Sequence, residues 1–212
     1  MFTLLKKQVF KEEIKDYLIS MIMQGEYKSG DRLIETKIAK NLGVSQAPVR
    51  EAIRDLEQMG ILDIVPYRGA CIRTFSIKDL KDAYIVRGEL ESLAIRAAVT
   101  LLTDRDIQEL EEIYEAMIKA DESGELHERV ALDNKFHEII VKAAQNNILE
   151  KAWRTVSITQ WAYFSSFQFK EKLKILEWHQ PIIEAIKERD ADKAEKTIYK
   201  HFLDLQNMLD EN

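Results

Sequence analysis

The sequence predicts a mainly α-helical protein: an N-terminal winged helix-turn-helix followed by a C-terminal antiparallel all-α bundle. Three observations carry that expectation. Two short amphipathic helices joined by a glycine turn lie between Glu35 and Met59. A compact β-hairpin pattern follows them around Pro66 to Gly69. From Ser76 onward helical periodicity runs without a strand pattern, and the next proline is Pro181. The expected boundaries are 1–75 for the winged helix and 76–212 for the helical domain.

In chain order, Val9, Ile14, Tyr17, Leu18 and Met21 predict a first helix over 8–24, stopped by Gly25. Ser29-Gly30-Asp31 is a turn, and Arg32 to Ile34 form a short strand for the hairpin to pair with. Ile38, Ala39 and Leu42 share one helical face, and Gly43 breaks that helix. Val44 follows as an apolar plug. Ser45 is a good N-cap, and Pro48 falls in the first turn of the next helix, where its missing N–H costs nothing. Val49, Ala52, Ile53 and Leu56 then recur at helical spacing. In a helix-turn-helix the second helix lies in the DNA major groove. That places Ser45, Gln46, Arg50 and Arg54 as candidate DNA contacts. Beyond Gly60, Ile61, Leu62, Ile64 and Val65 supply β propensity, and Ala70 to Ile72 the return strand. Such a hairpin makes a wing, with Arg68 at its tip, where a cation reaches a phosphate or the minor groove.

The string VSQAPVREAIRDLEQMGILDIVPYRGACI resembles the winged helix of the GntR family of bacterial transcription regulators. The shared features are the VS-x-x-PVREA run, the helix end at Gly60 and the P-x-RGA wing, and SGDRLIE matches the family's turn before the motif. Many members carry Arg where this chain has Gln46. Glutamine pairs with adenine and arginine with guanine, so the departure bears on the operator sequence.

Net charge is −6, unevenly spread: residues 1–75 carry 12 Lys+Arg against 10 Asp+Glu, whereas 76–212 carry 19 against 27. Binding a polyanion needs a local basic face, which Lys37, Lys40, Arg50, Arg54, Arg68 and Arg73 can supply. A lone cysteine, Cys71, excludes an internal disulfide framework and suits a reducing cytoplasm. The N-terminus lacks the apolar core of a signal peptide, and no run of about 18 apolar residues exists to span a membrane. The expected location is cytoplasmic, without a membrane partner.

Helices are expected over 77–101, 104–121, 125–145, 147–167, 171–189 and 191–210, with short joints that favour an antiparallel bundle. Ser76 with Asp79, and Thr103 with Asp106, have the spacing of capping boxes. Trp153, Trp161, Tyr163, Phe164, Phe167 and Phe169 crowd one helix and the joint after it, mostly as core.

All four histidines lie in this domain. His137 shares a face with Val130, Asp133, Ile140, Val141 and Ala144. His179 runs with Ile182, Ile183 and Ile186, and His201 with Ala194, Ile198, Leu205 and Met208. Asp133 stands one turn before His137. His179 and His201 are each eleven residues from the hairpin turn near Asp190, or roughly 16 Å along their helices. They are therefore expected at one height on neighbouring helices. Three imidazoles and a carboxylate converging in a core are sound ligands for a divalent transition metal such as Zn²⁺ or Ni²⁺. His127 falls on a different face and reads as exposed.

The segments VRGELESLAIRAA, DNKFHEIIVKAAQN and EWHQPIIEAIKERDADKAEKTIYKHFLDL resemble the FCD ligand-binding domain of the FadR-type GntR subgroup. The resemblance implies a metal held by Asp133, His137, His179 and His201, and a small organic acid as effector. Arg87 matches an arginine that faces the pocket, and its fork suits a carboxylate; the alternative for Arg87 is an intrahelical pair with Glu91. The expected protein is a homodimeric regulator of double-stranded operator DNA, and not an enzyme. Rival readings are a regulator whose metal is itself the signal, a structural metal with a pocket elsewhere, and a metal-dependent hydrolase fused to a winged helix. Such a site can activate water, but no general base or nucleophile motif accompanies it.

Overall fold

A helix of 22 residues, α1 (Phe2–Met23), opens the chain. The computed structural model describes residues 2–166 and 177–209. Its two compact units are Met1–Ser76 with Ile158–Gln168, and Ile77–Ser157 with Phe169–Asn212. Among side chains of α1 that are described, Ile14, Leu18 and Ile22 are buried and Tyr17 is exposed, so the inner stripe is rotated from the expected one.

Helix α1 packs on α3 (Gln46–Gln58), which is joined by a tight turn to α2 (Glu35–Leu42). The turn needs a left-handed residue, and Gly43 supplies it at φ 66°. Helix α3 has two faces. Val49, Ala52, Ile53 and Leu56 are buried, whereas Ser45, Gln46, Arg50 and Arg54 are exposed. Strands β1 (Leu62–Val65) and β2 (Gly69–Ile72) pair antiparallel, with Val65 opposite Gly69. The expected third strand is a single bridge, Arg32 to Cys71. The Leu33 N–H donates to the Ala70 carbonyl at 2.9 Å, and the Ile72 N–H to that of Asp31 at 2.8 Å.

The helical unit is built from α4 (Ile77–Ala98), α5 (Asp104–Ser123), α6 (Leu126–Ala143), the start of α7 (Asn147–Ser166), α8 (Gln180–Lys187) and α9 (Ala191–Met208). Helix α4 lies along α9 and on α6; α5 packs on α6 and α8; α8 packs on α9. The capping box at Thr103 forms: its hydroxyl accepts from the Asp106 N–H, and the Asp106 carboxylate accepts from the Thr103 N–H. Asp190 caps α9 by accepting from the N–H groups of Asp192 and Lys193. Ala94, Val141, Leu149 and Trp153 form one apolar cluster.

Two local expectations are corrected. Helix α8 begins at Gln180, preceded by a short 3-10 turn at 177–178, and residues 171–176 of the expected helix lie outside the described ones. Pro181 sits in its first turn, where its ring meets no preceding helical carbonyl. His179 therefore stands at the cap of α8, not within the helix. Ser45 occupies the cap position of α3, but its side chain makes no capping hydrogen bond. Of the aromatic group, Trp153 is core at 1% exposure. The side chains of Trp161, Tyr163 and Phe164, residues Phe167 and Phe169, and the His127 side chain lie outside the described set.

Gly88 brings α4 close to α9: a Cβ there would lie 3.2 Å from the Phe202 Cβ. Gly88→Val should overpack this contact and destabilise the protein by about 1–3 kcal/mol, read as a lower urea midpoint. An unchanged midpoint would mean that α4 and α9 separate here without cost.

Candidate metal centre and nucleic-acid interface

The three buried histidines of the helical unit meet. His137 comes from α6, His179 from the cap of α8, and His201 from α9. One ligand nitrogen from each lies within 4.8 Å of the other two. The rings of His179 and His201 are 4.7 Å apart between centroids, as expected for residues at matched height. Phe136 packs edge-on against His179, and Phe202 against His201. Asp133 joins the group: its Oδ1 is 3.0 Å from His179 Nε2 and 3.9 Å from His137 Nε2.

None of the six ring nitrogens makes a directed hydrogen bond among the described residues. The close approaches to Asp133 and Glu91 meet the distance but not the direction. Buried polar atoms ordinarily have partners, so six without one in a single cluster require an explanation. A divalent ion held by one nitrogen of each ring would account for three of them. Ion-to-donor bonds of about 2.0–2.2 Å put neighbouring donors roughly 3–4 Å apart. The two pairs made by Asp133 fall in that range, and the imidazole nitrogens, within 4.8 Å of one another, would have to close to reach it.

The electrostatics suit ligation. Burial pushes the Asp133 carboxyl up, but the hydrogen-bonding distance to His179 and the charges of His137, His179 and Arg87 outweigh it and hold Asp133 well below the carboxylate range. Burial, then the neighbouring His179 and His137, push His201 well below its ordinary value, so its ring is neutral and offers a lone pair.

Behind His137 lies a residue that sequence reasoning weighed only as a partner for Arg87. Glu91 of α4 is fully buried. Its Oε1 accepts from Arg87 Nε at 2.9 Å, Arg87 Nη2 at 2.7 Å and Trp153 Nε1 at 2.6 Å. Its Oε2 lies 2.5 Å from His137 Nδ1. Burial raises the Glu91 carboxyl, but Arg87, His137 and Trp153 bring it below its usual value. The available signal was an acid on a buried helical face, the same signal that picked out Asp133. The Arg87 guanidinium also packs on the Phe202 and Trp153 rings, at 4.9 and 5.7 Å.

In the other unit, Gln46, Arg50 and Arg54 stand one turn apart on the exposed face of α3. Arg50 is held by Glu35 of α2, with Nε and Nη2 each 2.9 Å from Glu35 Oε2. Arg68 is exposed at the wing tip, beside Tyr67, whose φ of 64° closes the turn. Lys37 and Lys40 are exposed on α2. The candidate DNA residues thus share an exposed helix face and a wing tip of one unit.

The chain matches two family signatures: bacterial regulatory proteins of the gntR family over residues 10–72, and the FCD domain over 82–204. It is 31% identical over 198 residues to the probable D-xylose utilization operon transcriptional repressor of Paenarthrobacter nicotinovorans, covering 93% of this chain and 87% of that one. Identity to the uncharacterized HTH-type transcriptional regulator YdhC of Bacillus subtilis is also 31%, covering 95% of this chain and 91% of that one. Among solved structures, E. coli McbR/YncC superimposes with a TM-score of 0.82 at 22% identity, covering 95% of this chain and 97% of that one, and shares the fold.

Neutral burial of His201 makes stability depend on pH. Unfolded, this ring takes up a proton near 6.5; folded, it does so only well below that. Stability of the metal-free protein should therefore fall as pH drops below 6.5, by about 1.4 kcal/mol per pH unit. Asp133 acts in the same direction only below its ordinary 3.8. Thermal unfolding in chelator between pH 7.5 and 4.5 reads this, and a midpoint flat from 7.5 to 5 contradicts it.

Proposed function

Because the chain belongs to the GntR family of bacterial regulatory proteins and carries an FCD domain, and so is a DNA-binding transcription regulator, we propose that a small carboxylate bound at a divalent metal controls its operator affinity. The observation that supports this reading is the convergence of Asp133 with three buried imidazoles whose nitrogens have no directed partner. Asp133, His137, His179 and His201 would hold the ion, with Zn²⁺ or Ni²⁺ matching the nitrogen-rich donor set. The ion would supply Lewis-acid charge to bind the effector.

Charge balance favours an anionic effector. A divalent ion with Arg87 brings three positive charges against two from Asp133 and Glu91. An uncompensated charge in a buried site is costly, and a monoanionic carboxylate removes it. Arg87 already spends Nε and Nη2 on Glu91, so it would steady the effector by its charge more than by a full fork. Binding alters DNA affinity only if the effector prefers one of the protein's two states.

The reading of DNA is assigned to Ser45, Gln46, Arg50, Arg54 and Arg68, within a winged-helix domain spanning 1–75. The helical domain, 76–212, would bind the effector and form a homodimer, pairing two recognition helices on a pseudo-palindromic site. Exposed apolar side chains on α4 and α9, among them Ile85, Leu93, Tyr199 and Leu203, are available for that contact. No described helix is long and apolar enough to cross a membrane, which accords with a cytoplasmic regulator. Its named relatives are regulators and repressors, which sets it apart from a metal-dependent hydrolase.

Elemental mass spectrometry of untagged protein should find about one divalent ion per chain, lost in His179→Ala. No metal after loading with zinc and nickel would refute the metal reading. An operator selected from random duplexes should then bind Arg50→Ala roughly 5- to 150-fold more weakly, since such contacts are worth about 1–3 kcal/mol. A carboxylate panel in the same gel-shift assay should contain at least one acid that shifts wild-type affinity and fails on His179→Ala. Response to metal alone, with no acid active, would mean that the metal is the signal.

A further inference from the structure

We infer that Glu91 is the positioning residue of the metal-ligand cluster: its Oε2 takes the Nδ1–H of His137, which turns the His137 Nε2 lone pair toward His179 and Asp133. The inference deepens the metal reading above and rests on it.

The argument follows the partners of each atom. Glu91 Oε1 receives two N–H bonds from Arg87 and one from Trp153, so it is saturated. Glu91 Oε2 has no directed hydrogen bond among the described residues, and neither has His137 Nδ1. These two buried atoms face each other at 2.5 Å. A neutral imidazole carries one proton. On Nδ1, after a small ring rotation, it satisfies both atoms at once. On Nε2 it would leave a carboxylate oxygen against a lone pair in a fully buried site, and would put an N–H where the other donors converge. Of the two neutral tautomers, only the first avoids both costs.

Glu91 is itself held from two sides. Arg87, one turn earlier on α4, clamps Oε1. Trp153 of α7 fixes the same oxygen from another helix. The carboxylate therefore has little freedom to turn, and Oε2 is aimed at α6. A hydrogen bond to the far nitrogen of a ligating imidazole sets its tautomer and ring angle and raises its basicity. Glu91 touches neither the ion nor the effector; it acts through His137.

Two measurements on the full chain test this. In protein labelled with 15N-histidine, NMR should find the His137 proton on Nδ1, metal-free and zinc-loaded alike, with the resonance assigned by its loss in His137→Gln. A proton on Nε2 in the metal-free protein overturns the inference, and this readout needs no Glu91 variant to fold. In competition with a chromophoric chelator, Glu91→Gln should bind zinc about 10–100-fold more weakly, and its cobalt-loaded form should change its visible d–d spectrum. A folded Glu91→Gln with wild-type affinity and spectrum also overturns it. If wild type itself binds neither zinc nor cobalt, the metal reading fails instead, and the metal-free tautomer still decides whether Glu91 orients His137.

Discussion

The interior of the helical unit depends on the buried ion pair between Arg87 and Glu91. Both side chains are almost fully sealed from water, and charges so placed are tolerated only when paired and hydrogen-bonded. The pair is local, one turn apart on α4, so it forms wherever that helix forms. The rings of Phe202 and Trp153 pack on the guanidinium, while Glu91 extends the pairing to Trp153 and to His137. A single helical ion pair thereby touches α6, α7 and α9. Removing either partner would strand a charge in the interior, which makes this contact costlier to lose than any of the exposed ion pairs around it.

The histidine cluster is built against that ion pair. Imidazoles are poor core residues unless their nitrogens are used, and here three crowd together with Asp133 at one level of the bundle. Phe136 and Phe202 close around them. Apolar walls strengthen every charge interaction inside. His201 is neutral because of this enclosure and its neighbours, whereas Asp133 lies low because its neighbours outweigh the enclosure. A buried acid beside three imidazoles, with an arginine nearby, would suit a cation first and an anion second.

The winged-helix unit uses a simpler division. The inner face of α3 is anchored by Val49, Ala52, Ile53 and Leu56, which frees its outer face for Gln46, Arg50 and Arg54. Glu35 holds the Arg50 fork across the helix-turn-helix. That pair is open to solvent, so a phosphate or base edge can replace the carboxylate. The acidic excess of the whole chain does not oppose this, because polyanion binding depends on the charges that face the groove.

Much of this was legible in the residues. Glycine and capping signals, such as Gly43 and Thr103 with Asp106, act within one turn and formed where expected. So did the two faces of α3 and the wing, since periods of 3.6 and 2 decide which residues point inward. Equal spacing from Asp190 brought His179 and His201 together, although Pro181 starts α8 later than periodicity implied. Glu91 was not legible in the same way. Its meeting with His137 and Trp153 joins distant parts of the chain, and no pattern along one helix encodes it. By itself, the sequence determined most of the elements, the two faces of α3 and the level of the histidines, because those follow from local geometry, though not the inner stripe of α1. Only the tertiary structure decided which buried polar atoms share a partner, because a hydrogen bond reaches about 3 Å and depends on how neighbouring helices pack.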